Sequence, residues 1–358
     1  MKTALKTICL LLIVCTFFSC NEDESTNTQT VTEEDDTKGS SWKRELYNFR
    51  KERQQTKKRI ELFDQLDFDH YNNQNWDAFS ISHADDIIVH NADGSITHGL
   101  DAHTNSLKPA FDLVPDLKIT GHPVKFGNGD WTAVIGRMEG TNPTNGKKLN
   151  LLMATIAKWE GLKMVEEYLF WDNKAFAEQL GLNDTDAAIL REDMAIHAVS
   201  KTTKSPWTEY LQFKKEERIN NERLRIFDEL DFEHYTNQNW EGFRISHADD
   251  IKVYYPNGFS EVGLDPHVNL LKPEFEYLPD TRIQEHPVRI ASGDWTAVIG
   301  IQEATFTKPL TLDDGTVIPP NGNKLKYTMV TFGRWENGKM VEEYLFWDNQ
   351  TYDNQLGL

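Results

Sequence analysis

The chain has 358 residues, with 57 acidic against 38 basic side chains and a formal net charge of −19. So acidic a surface is repelled by phosphate backbones and anionic headgroups, which excludes nucleic acid as a partner and a basic face as a membrane anchor. Its three cysteines, Cys9, Cys15 and Cys20, all lie near the N-terminus, so no disulfide can brace the body of the chain.

Lys2 and Lys6 precede an apolar stretch, Ile8–Phe18, that is too short to span a bilayer. It ends in Phe17-Phe18-Ser19-Cys20, the pattern of a bacterial lipoprotein leader. Residues 1–19 are expected to be removed and Cys20 to become the lipidated first residue. That predicts an exported lipoprotein on the periplasmic or cell-surface face of a membrane, held there by the lipid at Cys20. Loss of Lys2 and Lys6 takes the net charge to about −21. Residues 20–41 are Thr, Ser, Asp and Glu with almost nothing apolar, and read as an acidic tether.

From residue 42 the chain writes one domain twice, over 42–182 and 207–358. Trp159–Asn173 (WEGLKMVEEYLFWDN) returns as Trp335–Asn349 (WENGKMVEEYLFWDN), and Gly129–Gly136 (GDWTAVIG) returns unchanged as Gly293–Gly300. His83, His103 and His122 each recur 164 residues later, whereas Trp159 recurs after 176, so the second copy carries a twelve-residue insertion. A repeat of this length is a whole domain, far above the roughly 20–50 residue period of solenoids.

Each copy opens with helical periodicity: Leu46, Phe49, Arg53, Ile60, Phe63 and Leu66 in the first, Leu211, Phe213, Leu224, Phe227 and Leu230 in the second. A short helix through Trp76 and Phe79 (Trp240 and Phe243) leads to a β-branched strand at Ile87-Ile88-Val89. Asp101–Phe111 suits a helix interrupted or ended at Lys108-Pro109. Strands follow at Lys118–Phe126, Trp131–Glu139, Lys148–Trp159 and Met164–Phe170, and a helix at Lys174–Leu180 stops at Gly181. Between the copies, residues 183–206 read as a linker with a short helix at Asp184–Met194 and a hinge at Ser200–Pro206. The fold class is α+β: two tandem cone-shaped barrels, each with helices on a curved antiparallel sheet and a ligand cavity between the layers.

This order resembles the SnoaL-like polyketide cyclase (ester cyclase) family of the nuclear-transport-factor-2-like superfamily. The residues that carry the likeness are His83-Ala84-Asp85-Asp86, Gly99-Leu100-Asp101-Ala102-His103, Pro115-Asp116-Leu117 and Gly129-Asp130-Trp131, then Lys163–Glu167, Asp172 and Gln179-Leu180-Gly181. The second copy matches at His247–Asp250, Gly263-Leu264-Asp265, His267, Pro279-Asp280, Gly293-Asp294, Gly338–Glu343, Asp348 and Gln355-Leu356-Gly357. The resemblance implies an apolar pocket in each domain and dimerisation through the sheet, here between the two copies as an intrachain pseudo-dimer. It also implies an acid/base aspartate on the last strand. That position falls on Leu169 and Leu345, and the family's pocket histidine falls near Thr155 and Thr331. None of these exchanges a proton at neutral pH.

Alternation along the last strand puts Glu167, Leu169 and Trp171 on one face, with Glu343, Leu345 and Trp347 in the second copy. If that face lines the cavity, burial should raise the carboxyl pKa and make Glu167 and Glu343 the catalytic acid/base groups. The bland alternative is a carboxylate held for structure alone. His103 and His267 are the best functional histidines, against a packing role. His83 is expected to cap its helix, and His122 to pack at a strand end. No close histidine or cysteine pair supports a metal, so neither metal nor other cofactor is expected. Trp171 and Trp347, with Leu169 and Leu345, are candidate ligand-binding walls. His90 and His98 belong to the first copy alone, which predicts pockets that differ. The function expected is binding of a small apolar or ring-bearing molecule with acid/base chemistry of cyclase or isomerase type. The alternative is a non-catalytic cell-surface binding or interaction module built as a pseudo-dimer.

Overall fold

The computed structural model describes residues 33–182, 205–312 and 314–358. The leader, Cys20 and the linker helix expected at Asp184–Met194 lie outside the described residues. Helix α1 (Glu33–Gln65) begins inside the segment expected as a tether.

Arg44–Leu358 forms one compact unit, and both copies fall within it. In the first, α1 widens into a π turn at Leu66–His70 and passes through short 3₁₀ turns to strand β1 (His83–His90). Then come β2 (Ile96–His98), helix α2 (Leu100–Leu113) and the meander β3 (Lys118–Asn128), β4 (Trp131–Thr141), β5 (Lys148–Glu160) and β6 (Lys163–Phe170). Helix α3 (Asn173–Gln179) closes it. The second copy opens with α4 (Pro206–Glu229), β7 (His247–Tyr254) and β8 (Ser260–Val262). Helices α5 (Leu264–Leu271) and α6 (Glu274–Tyr277) follow, parted at Pro273, whereas α2 runs through the matching Pro109. The chain continues as β9 (Arg282–Ser292), β10 (Trp295–Thr305), β11 (Leu310–Thr311), β12 (Val317–Ile318), β13 (Lys324–Glu336), β14 (Lys339–Phe346) and α7 (Asn349–Leu356). Strands β11 and β12 pair as a hairpin in the inserted segment.

The sheets have the orders β2-β1-β6-β5-β4-β3 and β8-β7-β14-β13-β10-β9. They are mixed, correcting the antiparallel sheet expected: β1 runs parallel to β6, and β7 to β14. The chain crosses from β2 through α2 to the far edge, and the meander then returns β6 beside β1 in the same direction. The edge strands of each sheet are not joined, so each cone is an open curved sheet and not a closed barrel. The repeated Gly129-Asp130 turn is gripped from α1. Buried Arg59 donates to the Gly129 carbonyl at 2.6 Å, the Gly161 carbonyl at 3.0 Å and Asp130 Oδ1 at 2.9 Å.

One face of each sheet buries against the other sheet. Phe126, Ile135, Ile156 and Phe170 of the first pack with Val288, Ile299, Phe332 and Phe346 of the second in a shared core. The contact is reciprocal. The Asn173 backbone N–H donates to Asp348 Oδ1 at 2.8 Å and its side chain to Asp348 Oδ2 at 3.1 Å. The Asn349 side chain donates to Asp172 Oδ2 at 2.6 Å, and its backbone N–H to Oδ1 at 3.3 Å. Such a self-complementary patch is the mark of a twofold interface. Here it joins two domains of one chain as the pseudo-dimer expected.

Candidate functional site

Side chains alternate along β6, so the face opposite the shared core looks toward the helices. There Glu167, Leu169 and Trp171 line a cavity of about 340 Å³, together with His83, His103, Thr155, Met153 and Leu107. Glu343, Leu345 and Trp347 line its counterpart of about 420 Å³, with His247, His267 and Thr331. Both volumes lie in the lower range of small-molecule sites, roughly 300–1,000 Å³.

The polar floor is built from three elements. His83 starts β1, His103 sits one turn into α2, and Glu167 is central in β6. Their exposures are 1%, 3% and 3%, so water reaches none of them freely. His103 Nε2 stands 3.4 Å from Glu167 Oε2, and His83 Nε2 stands 3.9 Å from the same oxygen. The second copy repeats this with 3.4 Å from His267 and 3.5 Å from His247 to Glu343 Oε2. The three donor atoms of each set lie within 4.8 Å of one another. His83 does cap as expected, its Nδ1 meeting the Phe79 carbonyl at 3.1 Å, but its other nitrogen looks into the floor. Distant elements thus bring together two imidazoles and a carboxylate that spacing in sequence did not show.

Electrostatics also differ from expectation. Burial works to raise the Glu167 and Glu343 carboxyls, but the adjoining imidazoles outweigh it and hold both below the usual carboxylate range. Burial pushes His103 and His267 down to about 4, against the pull of the glutamates. At neutral pH each floor therefore sets a carboxylate against a neutral ring, His103 in the first copy and His267 in the second.

His122, expected to pack, instead bridges two carboxylates: Nδ1 lies 2.8 Å from Asp64 Oδ1 and Nε2 lies 2.7 Å from Asp67 Oδ2. Burial lowers its pKa, but the two aspartates win and raise it, and His286 repeats the arrangement with Asp228 and Asp231. His90 lies away from the cavity, stacked on Tyr168 at 4.1 Å, where the second copy stacks Tyr254 on Tyr344 at 4.4 Å.

The cavities differ at one end. In the second, half-buried Glu274 accepts from Tyr235 Oη at 2.9 Å, Gln302 Nε2 at 2.9 Å and Tyr352 Oη at 3.2 Å. The matching first-copy positions of Glu274, Gln302 and Tyr352 are Ala110, Met138 and Phe176, all apolar and all lining the first cavity. Comparing the copies position by position would have found this cluster in the sequence; reading either alone would not.

A curved sheet wrapped by helices around a buried, partly polar cavity is the architecture of a small-molecule-binding cone. Residues 67–167 match the model of the SnoaL-like domain, and residues 228–356 match that of the SnoaL-like polyketide cyclase. The chain carries two SnoaL-like domains in tandem. No curated protein matches it. Among solved structures, a candidate SnoaL-like polyketide cyclase from Jannaschia sp. is 18% identical over 39% of this chain and 92% of its own, with a TM-score of 0.33. IdmH from Streptomyces antibioticus, named as a candidate polyketide cyclase, is 19% identical over 39% and 99%, also at 0.33. An NTF2-like protein of unknown function from Burkholderia pseudomallei is 18% identical over 39% and 98%, at 0.31.

Proposed function

We propose that each domain binds a small ring-bearing molecule in its cavity and that Glu167 and Glu343 act on it as proton acceptors in chemistry of isomerase or cyclase type. The observation that carries this reading is the Oε2 atom of each glutamate, buried in the cavity floor without a hydrogen-bond partner among the described residues. A carboxylate so placed has a free lone pair aimed at a ligand, and the low dielectric strengthens what it does there. Leu169 and Trp171, with Leu345 and Trp347, supply flat apolar walls. The first cavity favours an apolar ring system. The second, with Glu274 and its phenols at one end, favours a ligand bearing polar substituents. Lipidation at Cys20 would hold both pockets at a membrane surface on the exported side.

The leucines at the family's aspartate position favour a second reading, a binding module without turnover. The test is native mass spectrometry of the intact chain for a retained molecule, followed by turnover of that molecule by Glu167→Gln, Glu343→Gln and the double variant. Turnover abolished in the double variant with binding kept supports acid/base chemistry. Binding kept with no turnover in the parent supports the module, and no binding in any form overturns both.

A further inference from the structure

The cavity floor has more acceptors than protons. His247 Nδ1 lies 2.8 Å from Ser246 Oγ and 3.2 Å from the Phe243 carbonyl; in the tautomer that donates to this carbonyl, which can only accept, Nε2 presents a lone pair. Tyr255 Oη gives its one proton to Glu261, with which it makes a short contact, and therefore accepts from His267 Nδ1 at 2.8 Å. His267 Nε2 is then a lone pair as well. Both lone pairs face Glu343 Oε2, at 3.5 and 3.4 Å. With both rings in these tautomers three buried acceptors converge with no donor between them, and His247 Nε2 and Glu343 Oε2 have no hydrogen-bond partner among the described residues. Buried polar atoms left so are destabilising unless something else satisfies them.

A cation satisfies all three at once. Donors about 2.0–2.2 Å from one ion stand roughly 3.0–3.6 Å apart, and both imidazole-to-carboxylate distances of the second copy already fall in that range, with all three donor atoms within 4.8 Å of one another. Backbone-held and tyrosine-held Nδ1 protons are also what aims a ligating imidazole. We propose that His247, His267 and Glu343 bind one divalent first-row transition ion of the zinc or ferrous class, and that His83, His103 and Glu167 bind a second. Two imidazole nitrogens and one carboxylate suit such ions, whereas magnesium and calcium prefer oxygen alone. Three protein donors leave coordination positions open toward the cavity, where an oxygen of the bound molecule would sit. The first copy is the looser site. His83 Nε2 must close on Glu167 from 3.9 Å, and Asn91 stands where the second copy has Tyr255, leaving His103 Nδ1 without a partner among the described residues.

Only the occupant of those open positions rests on the proposed function; the ion site stands on the triads, and an ion bound there takes the glutamate Oε2 as a ligand in place of its use as a free base. The test strips the intact chain with a chelator, titrates it with zinc and separately with cobalt(II), and reads bound metal by mass spectrometry and the cobalt absorption bands. Expected are two ions per chain, with Glu343→Gln removing the tighter and Glu167→Gln/Glu343→Gln removing both. The double variant is checked for native circular dichroism, and His247→Gln provides an independent loss of the tighter ion should the glutamate variants misfold. No uptake by the folded parent, or uptake unchanged in the double variant, overturns the proposal. Measuring the retained cavity molecule in the same stripped samples separates the two readings. Molecule kept by the stripped chain overturns the placing of its oxygen on the ion, and metal uptake by a chain that holds no molecule in any form overturns the proposed function while the ion site stands.

Discussion

His286 offers a direct measurement of the electrostatics that join helix to sheet. Its side chain is 2% exposed, and both ring nitrogens meet carboxylates, Asp228 at 2.8 Å and Asp231 at 2.9 Å. Burial alone would lower its pKa, but these partners raise it from the ordinary 6.5, so the ring is held as imidazolium. Replacement by glutamine keeps the volume but removes the charge and leaves Asp231 buried beside a neutral group. Losing one partner of a buried ion pair costs about 3–5 kcal/mol, and because Asp228 is about a quarter exposed the lower end applies. At about 2–4 °C per kcal/mol for a domain of this size, His286→Gln should melt roughly 6–12 °C below the parent at pH 6. The sign with pH follows from the raised value. Stabilisation is fully present below the unfolded imidazole's pKa and is lost as pH climbs through the higher folded one. The gap between parent and variant should therefore narrow toward pH 9, read by scanning calorimetry across the range. Melting curves that remain parallel from pH 6 to 9 would show that the ring carries no held charge, and the argument would fail.

Phe332 is fully buried in the core shared by the two sheets, so Phe332→Ala should cost about 3–5 kcal/mol and, if the sheets unfold together, lower one common transition. Two separated transitions in calorimetry would deny that coupling. Asp348 caps α7 through Gln350 and Thr351 and also holds Asn173 of the other domain. Asp348→Ala should cost about 2 kcal/mol by urea denaturation, more than a surface cap alone, and a loss below about 0.5 kcal/mol would refute the dual role. Changing Glu274→Ala, Gln302→Met and Tyr352→Phe together gives the second cavity the lining of the first. Apolar ring compounds should then bind both sites by calorimetric titration, and binding confined to one site would show that this end does not select the ligand.

Much of the fold was legible because duplication prints each strong local signal twice. Turns at Gly129-Asp130 and Gly161, strand alternation in β6 and the closing helix expected at Lys174–Leu180 follow from local chemistry, and each lies within a residue of where the sequence puts it. The cavity-facing side of β6 was readable for the same reason. The parallel pairing of β1 with β6 was not, since it depends on a crossover between distant segments with no local mark. The His83–His103–Glu167 floor was invisible for the same cause. Each member has an unremarkable neighbourhood in sequence, and only the closing of the sheet brings a strand start, a helix and a central strand together. The direction of the Glu167 shift was misjudged because burial was counted without the imidazoles that arrive with it.

Fusing two such domains into one chain frees the pockets from each other. In a homodimer one gene writes both cavities, so any change at a lining residue appears in each. Here the shared core and the reciprocal Asp172–Asn349 and Asp348–Asn173 contacts keep the twofold frame, while residues on the opposite face of the same strands can differ. They do so selectively. The floor triads are the same in both copies, whereas Ala110, Met138 and Phe176 become Glu274, Gln302 and Tyr352. Asn173 also links the two levels, because its Oδ1 accepts from the Trp171 indole at 2.8 Å while its amide binds Asp348 across the interface. A wall of the first cavity is thus fastened to the second domain. Occupancy that moves Trp171 must pull on Asp348 and hence on the start of α7, which carries Tyr352 of the second cavity. The expected consequence is a difference in affinity at one pocket when the other is filled, abolished by Asn173→Ala. Equal affinities in singly and doubly filled protein would mean that the frame is rigid enough to isolate the sites.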